Sequence, residues 1–593
     1  MNVRFFHPHK NRGLRFSSSL TKIRAVCAEE VAPALAEADR WLSEGKWLAG
    51  FIAYEAASGI DTHLRHHPPL EGLPLLMLGV YDSPGEILAE EPPASGDANL
   101  PQWQPLLARE HYDRALRKIR DYLRAGDSYQ VNYTFPLEGD FQGDFEAFFK
   151  QLHRAQPGSY AAYIDMPGRA VASVSPELFF ELNGNRIKTR PMKGTAPRGL
   201  FREDDLRLAR ELAASEKEQA ENVMIVDMMR NDLSRFCRPG TVRCPALFNI
   251  EQYPTVWQMT SEVEGETDAP FSEIMRRLFP CASITGAPKV RTMEIIRELE
   301  PFPRGVYTGA IGYMGPRRQG CFNVAIRTVL LDKERKKVRY GVGGGIVWDS
   351  RVENEYRESL LKAGVLAYRQ PSFRLLETLL YKQGRGWFLL KEHLERLKSS
   401  RDYFGFTFSL TPIRERLREE ARRLSRLGED QRVRLLVAPN GHCTLEASPL
   451  PENASADCLA LASRSIDRDS IWYYHKTDRR QAYDSFLKEN ELGCNDLLLY
   501  NNAREITETT MANIVFEWKG ERYTPPRRCG LLGGVFRAVL LREGRIREKI
   551  LTMDMLTEVS RLWRINSVRG WMPVRSARLS ATERITFNVS DGV

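Results

Sequence analysis

Residues 215–232 read SEKEQAENVMIVDMMRND. Ser215 with Glu218 three residues on is a capping-box signature, so the spacing predicts a helix that starts there. Glu218 and Glu221 then share one helix face at i, i+3. The pattern returns in DSRVENEYRESLLKAG (349–364). There Ser350 with Glu353 predicts a second box, and Glu355 and Glu358 repeat the i, i+3 spacing. Two helices presenting carboxylate pairs could hold one hard cation such as Mg²⁺, which keeps waters and takes an anionic substrate oxygen as a further ligand. The plain alternative makes Glu218 a capping partner and the other acids a solvated face.

Two neighbouring stretches extend the reading. FPCASITGAPKVRTMEII (279–296) carries a turn, Thr285-Gly286-Ala287, then Pro288 at a predicted helix start continued by Val290, Met293, Ile296 and Leu299. Free N–H groups at such a start suit a carboxylate, although an ordinary loop-to-helix junction reads the same way. TRPMKGTAPRG (189–199) places Lys193 on a loop constrained by Pro and Gly, where it is either held for a purpose or simply solvated. Helical spacing over REHYDRALRKIRDYLRAG (109–126) ends at Gly126, a predicted C-cap. VRLLVA (433–438) and DLLLY (496–500) predict buried strands. Long helices and strand clusters do not alternate regularly, which predicts an α+β fold rather than a doubly wound parallel sheet.

The chain has 593 residues, 42% hydrophobic and 27% charged, which fits several globular domains and excludes a disordered, collagen-like or coiled-coil protein. No apolar run approaches the ~18 residues of a spanning helix, and the basic start MNVRFFHPHK lacks the apolar region of a secretory signal. Nine Cys without a CxxC pair predict reduced thiols in the cytoplasm, not a disulfide frame or a zinc site. The net charge of +9 is spread as Arg beside Glu, as in RERLREEARRL (414–424), which reads as a solvated helix face rather than a nucleic-acid track. The Pro-, Gly- and acid-rich stretch 82–105 predicts an exposed connection, and a second break near 364–373 predicts two parts, 1–368 and 372–593.

Four segments of the first part resemble the chorismate-utilising enzymes: SVSPELFF (173–180), TRPMKGTAPRG, AENVMIVDMMRNDL (220–233) and FPCASITGAPKVRTMEII. AGDSYQVNYT (125–134), GVYTGAIGYMG (305–315), NVAIRT (323–328) and GVGGGIVWDS (341–350) extend the similarity over about 110–365. The resemblance implies an α+β sandwich with large antiparallel sheets. It also implies Mg²⁺ held by Glu221 and Glu358 with Glu218 and Glu355 behind them, and chorismate anchored by Thr285, Gly286, Ala287 and Arg327. Glu177 would be the general acid for loss of the 4-hydroxyl. Lys193 in the P-x-[AK]-G-T motif, together with Gln130, is similar to the branch that aminates chorismate to aminodeoxychorismate, with Lys193 attacking C2 and ammonia entering at C4. Many members carry His where this chain has Gln258 in YPTVWQMTS (253–261). No G-x-C-x-G elbow surrounds any Cys, so the resemblance implies ammonia from a separate glutamine amidotransferase subunit, or free ammonia.

The second part offers HKTDRRQAY (475–483), EITETTMANIVF (505–516) and GLLGGVFR (530–537), the last a Gly-rich turn entering a predicted helix and suited to phosphate. With FRLLETLL (373–380), HLERL (393–397) and INSVRGWMPV (565–574), they resemble the fold-type IV pyridoxal-phosphate enzymes over about 373–575. That family includes aminodeoxychorismate lyase and several amino-acid aminotransferases. The resemblance implies Lys476 as the cofactor-bearing lysine and Glu508 against the pyridinium nitrogen. Arg396, Ser567 and the backbone N–H groups of Val535 and Phe536 would hold the phosphate. GLLGG departs from the commoner GLLPG, with Gly534 read as the residue in place of proline.

Joined, the two resemblances imply formation of 4-aminobenzoate and pyruvate from chorismate in two steps, with dimerisation through the second part and no nucleic-acid or membrane partner. Other readings stand beside this one: an anthranilate-synthase-like first half, an amino-acid aminotransferase as the second half, or a non-catalytic basic protein that binds nucleic acid.

Overall fold

The computed structural model describes residues 1–7, 12–88, 101–367, 373–450, 458–490, 492–494 and 496–589. The break between the two parts, at 368–372, lies outside the described residues. Contacts divide the chain into two units. One is Met1–Pro197 with Ala209–Gln370, and the other is Arg198–Leu208 with Pro371–Val593. The second unit is therefore discontinuous in sequence.

The first unit is built on two ten-stranded antiparallel sheets. One runs from the short strand Gly286–Ala287 through Gln130–Asp140 and Lys337–Ile346 to Asn2–Phe6 and Arg12–Phe16. The other runs from Met192–Pro197 through Val256–Glu266 and Leu178–Asn183 to Trp47–Ile52 and Thr21–Ala25. Inward residues of both, among them Phe5, Ile164, Phe51 and Ile311, form one buried cluster, so the sheets pack face to face. Their outer faces are covered by helices, Ala28–Ser43 and Glu216–Ser234 on one, Arg109–Ala125 and Phe145–Ala155 on the other. The early residues are woven into both sheets: Asn2–Phe6 pairs with Tyr160–Met166, and Trp47–Ile52 with Ala310–Gly315. The stretch 82–105, expected to be a connection, contributes strands at its two ends, Gly85–Leu88 and Gln104–Pro105.

Local rules account for the helices. Phe145, Phe148, Phe149, Leu152 and Ala155 recur at helical spacing and are buried, and Asp144 accepts the Glu146 N–H at the N-terminus. Helix Arg109–Ala125 stops at Gly126, which takes the left-handed conformation at φ 78°. Ser215 caps Glu216–Ser234 by accepting the Glu218 N–H. The second capping box is a correction. Helix Val352–Leu361 has Arg351 at its N-cap, and the Ser350 hydroxyl donates to Glu355 Oε1 at 2.7 Å instead. In helix Lys289–Leu299, Met293, Ile296 and Leu299 are buried as the spacing predicts, but Val290 is exposed.

The second unit joins a four-stranded sheet to an eleven-stranded one. The smaller, centred on Leu375–Lys382 and Gln431–Val437, packs on helices Leu390–Phe404 and Leu410–Leu424. The larger is mixed, with Cys458–Leu461 parallel to both Asp496–Tyr500 and Ser576–Arg578. Among the described residues no helix is long and apolar enough to cross a membrane.

Candidate active sites

In the first unit, strand Met192–Pro197 pairs with Val256–Glu266, and its register slips between Met192 and Thr195. The slip is a bulge at Lys193-Gly194, with Gly194 at φ +84°. Such a bulge re-aims one side chain, and here it turns Lys193 toward Gln130. A Cβ added at Gly345 would lie 2.7 Å from both Lys193 Nζ and Gln130 Nε2, so the two groups meet over a glycine. Gln130 is fully buried, and among the described residues neither its amide oxygen nor its amide nitrogen has a hydrogen-bond partner. A buried amide with nothing to bond is costly unless something arrives to bond it.

Carboxylates surround the lysine. Burial lowers the Lys193 pKa and Lys362 adds to that, while Glu221, Glu358 and Glu177 oppose it. Glu177 is buried, accepts Ser283 Oγ at 2.6 Å, and is pushed by burial up to about 7. Glu218 is raised by burial and by Glu221, and Glu355 by burial and by Glu358. Glu358 is lowered: burial pushes it up, but Lys362, 3.0 Å away, together with Lys193 and Lys217 outweighs that. The two acidic pairs thus face one another. Among the described residues no three His, Cys, Asp or Glu side chains converge as a ready cation cage. Carboxylates that raise one another still fit a dication that retains its waters and uses few protein ligands.

The turn after Cys281 closes the opposite side. Gly286 and Ala287 pair with Val131 and Gln130, and a Cβ at Gly286 would sit 1.9 Å from the Gln130 carbonyl oxygen. Thr285 is buried, with its hydroxyl donated to Cys281 O and Ala282 O. Arg327 lies near Tyr340 and Tyr253. Its guanidinium donates to Gln156, and no described hydrogen bond or ion pair links it to the Lys193 cluster. Gln258 donates its amide to Gly194 O at 2.8 Å and accepts Thr195 Oγ1 at 3.0 Å, so it clamps the bulge. Sequence reasoning missed Lys362, Ser283 and Gly345. Lys362 had a signal, since it lies at i+4 from Glu358.

In the second unit, Arg396, Lys476, Glu508, Val535, Phe536 and Ser567 all line one cavity. Lys476 lies on a loop tied to strand Leu375–Lys382 through Leu376 N to Lys476 O. Burial, reinforced by Arg396, lowers its pKa to about 8. Glu508 is buried, and burial raises it to about 8. It accepts from Tyr483 Oη at 2.8 Å, Asn513 Nδ2 at 3.0 Å and Leu532 N at 3.2 Å, all neutral donors. A buried carboxylate supplied only with neutral donors fits a cationic ring N–H. Arg396 is clamped by Glu377, which also accepts from His393 at 2.7 Å. Arg396 and His393 together outweigh burial and hold the Glu377 pKa down to about 2.

Helix Val535–Arg542 begins at the cavity, so its first N–H groups have no partner within the helix and suit a phosphate. Gly534 must be glycine, because a Cβ would lie 1.9 Å from Asn513 Oδ1. By position in GLLGG (530–534), the residue in place of the proline is Gly533 and not Gly534. These features fit pyridoxal phosphate. Glu377, Tyr483 and Asn513 were missed as site residues, although each falls inside a quoted motif.

Two family models match the chain. Residues 12–368 match the family model for chorismate binding enzymes, and the chain belongs to that family. Residues 374–577 match the model for class IV amino-transferases. Aminodeoxychorismate synthase component 1 of Klebsiella aerogenes is 40% identical over 299 residues, which is 49% of this chain and 66% of that protein. Anthranilate synthase component 1 of Saccharolobus solfataricus is 36% identical over 266 residues, covering 44% of this chain and 63% of that one. The chain thus spans under two thirds of the length of these curated relatives. Among solved structures, anthranilate synthase component I from Streptococcus pneumoniae superposes with a TM-score of 0.54 at 23% identity, over 61% of this chain and 93% of that one.

Proposed function

We propose that the chain makes 4-aminobenzoate from chorismate and ammonia, with residues 1–368 as the aminating module and 372–593 as a lyase module. The observation that carries the reading is Lys193, aimed by its bulge at a buried Gln130 amide that has no hydrogen-bond partner among the described residues. In the first step Lys193, whose charged form burial disfavours, attacks C2 of chorismate as the free amine. Both ring double bonds shift, from C1=C2 to C1=C6 and from C5=C6 to C4=C5, and the 4-hydroxyl leaves as water with a proton from Glu177, which a pKa of about 7 keeps partly protonated. Ammonia then adds at C4 and Lys193 is expelled, giving 4-amino-4-deoxychorismate with the ring still unaromatic. Gln130 offers its amide to the incoming ammonia. Thr285, Gly286, Ala287 and Arg327 are assigned to the substrate's anionic groups. Glu221 and Glu358, backed by Glu218 and Glu355, would hold Mg²⁺, whose charge would neutralise a chorismate carboxylate.

In the second step Lys476 removes the C4 proton and the enolpyruvyl group departs as pyruvate, which leaves the aromatic product. Bound pyridoxal phosphate would supply the electron sink. Glu508 would face its ring nitrogen, and Arg396, Ser567, Val535 and Phe536 its phosphate. Ammonia would come from a separate glutamine amidotransferase.

The test supplies chorismate, ammonium and Mg²⁺ to the full chain, with and without pyridoxal phosphate. Aminodeoxychorismate should form in both cases. Pyruvate and 4-aminobenzoate should form only with the cofactor and without any keto-acid acceptor. Anthranilate in place of aminodeoxychorismate would overturn the first half. A requirement for a keto acid would overturn the second.

A further inference from the structure

Five cationic side chains line the cavity of the second unit against a single carboxylate, Glu508. Three of the five have other duties. Arg396 is held by Glu377, Arg537 donates to Glu548 at 2.6 Å, and Lys476 is the nucleophilic amine. Arg479 and Arg480 remain, and neither the cofactor nor the chemistry above uses them. Arg479 is exposed, stacks over Trp472 at 4.6 Å, and has no ion pair among the described residues. Arg480 lies deeper. It stacks over Tyr483 at 5.1 Å, donates to Thr510 O at 2.9 Å, and is close enough to Lys476 to influence its charge. Its ion pair with Asp484 is long, at 3.9 Å.

Resting on the lyase reading above, we propose that Arg480 and Arg479 together recognise a dicarboxylate amine. Arg480 takes the enolpyruvyl carboxylate beside the amine-bearing carbon, and Arg479 takes the ring carboxylate para to it. The order follows from the substrate. The enolpyruvyl ether is on C3, next to the C4 amine that must reach Lys476, so its carboxylate needs a cation deep in the cavity. The C1 carboxylate lies across the ring and needs one at the mouth. An α-amino acid carries its carboxylate one bond from the amine carbon and leaves Arg479 unanswered. Fixed guanidinium pairs of this kind give geometric specificity as well as attraction. Once pyruvate has left, 4-aminobenzoate retains only the outer carboxylate, so the product is held by one arginine instead of two.

The experiment gives aminodeoxychorismate directly to the cofactor-loaded full chain. Arg479→Gln and Arg480→Gln should each raise KM by about 10–100-fold, the effect of one charge-assisted contact, with kcat within about threefold. Lysine at either position should recover part of the loss. The absorbance of the bound cofactor should not change. As binding probes, isophthalate should inhibit the unaltered protein better than benzoate, and Arg479→Gln should abolish that preference. If the unaltered protein does not convert aminodeoxychorismate, the lyase reading falls and takes this inference with it. If it does convert and both variants keep their KM, or lose only kcat or the cofactor band, this inference alone is overturned.

Discussion

Lys193 and Lys476 are both ammonium groups with lowered pKa, but the strongest charged neighbour is a carboxylate, Glu221, for the first and a guanidinium, Arg396, for the second. Lys193 is aimed from a sheet by a bulge and meets Glu177, Glu221 and Glu358, which oppose the effect of burial. Lys476 is carried on a loop, and Arg396, its strongest charged neighbour, adds with Arg480 to the effect of burial, while Glu377 and Glu508 oppose it. The first arrangement holds an amine that must be charged when it leaves and neutral when it attacks. The second eases the loss of a proton from its amine, at a pKa of about 8, and surrounds it with anion-binding groups. The lesson is that burial sets the direction of a lysine shift and the neighbouring charges decide which chemistry it suits.

The sharpest break of the comparison is removal of either amine. Lys193→Ala should cut aminodeoxychorismate formation by at least about 10³-fold and leave lysis of supplied aminodeoxychorismate intact. Lys476→Ala should do the reverse and let aminodeoxychorismate accumulate. Product analysis by chromatography checks both.

Glu177→Gln should lower the first step by about 10²–10⁴-fold. The acid must carry its proton to act, and its pKa is raised to about 7. First-step rate should therefore fall as pH rises through about 7, and that limb should vanish in the Gln variant. A pH–rate profile with ammonium in excess reads this directly.

Each site also has one glycine whose missing side chain makes room. Gly345→Ala places a methyl 2.7 Å from Lys193 Nζ and Gln130 Nε2, and should cost the first step about 10²-fold. Gly534→Ala collides with Asn513 at 1.9 Å and should weaken cofactor binding, read by absorbance, without touching amination. Crossed effects would blur the distinction between the sites. The smallest effect belongs to the clamp on the bulge. Gln258→Ala should lower first-step kcat by about 3–30-fold, the worth of one or two hydrogen bonds, with KM for chorismate little changed.

Much of this was legible where the signal is local. Helical spacing and Gly126 located the helix Arg109–Ala125, and Ser215 located the start of the carboxylate-bearing helix. The same rule failed at Ser350 because the helix starts a residue later, with Arg351 at its N-cap, and the Ser350 oxygen accepts from Val347 N instead. What lay hidden depends on contacts distant in sequence. The bulge at Lys193 exists only in its pairing with Val256–Glu266, and Gln258 gains its purpose only across that pair. The early strands carry no motif that announces which sheet they join, yet they complete both. Glu377 looked like one more strand residue until its partners on the following helix were visible.

The discontinuity of the second unit has a practical consequence. Arg198–Leu208, which directly follows the strand bearing Lys193, is counted with residues far downstream. Phe201 stacks on Tyr474 at 5.5 Å, two residues before Lys476, and lies under Arg527, while Gly199 O receives the Tyr403 hydroxyl. A gene cut at the linker would leave the downstream fragment without this wedge and with bare aromatic rings where it belongs. Any attempt to express the halves apart should graft those eleven residues onto the second fragment, or expect it to precipitate.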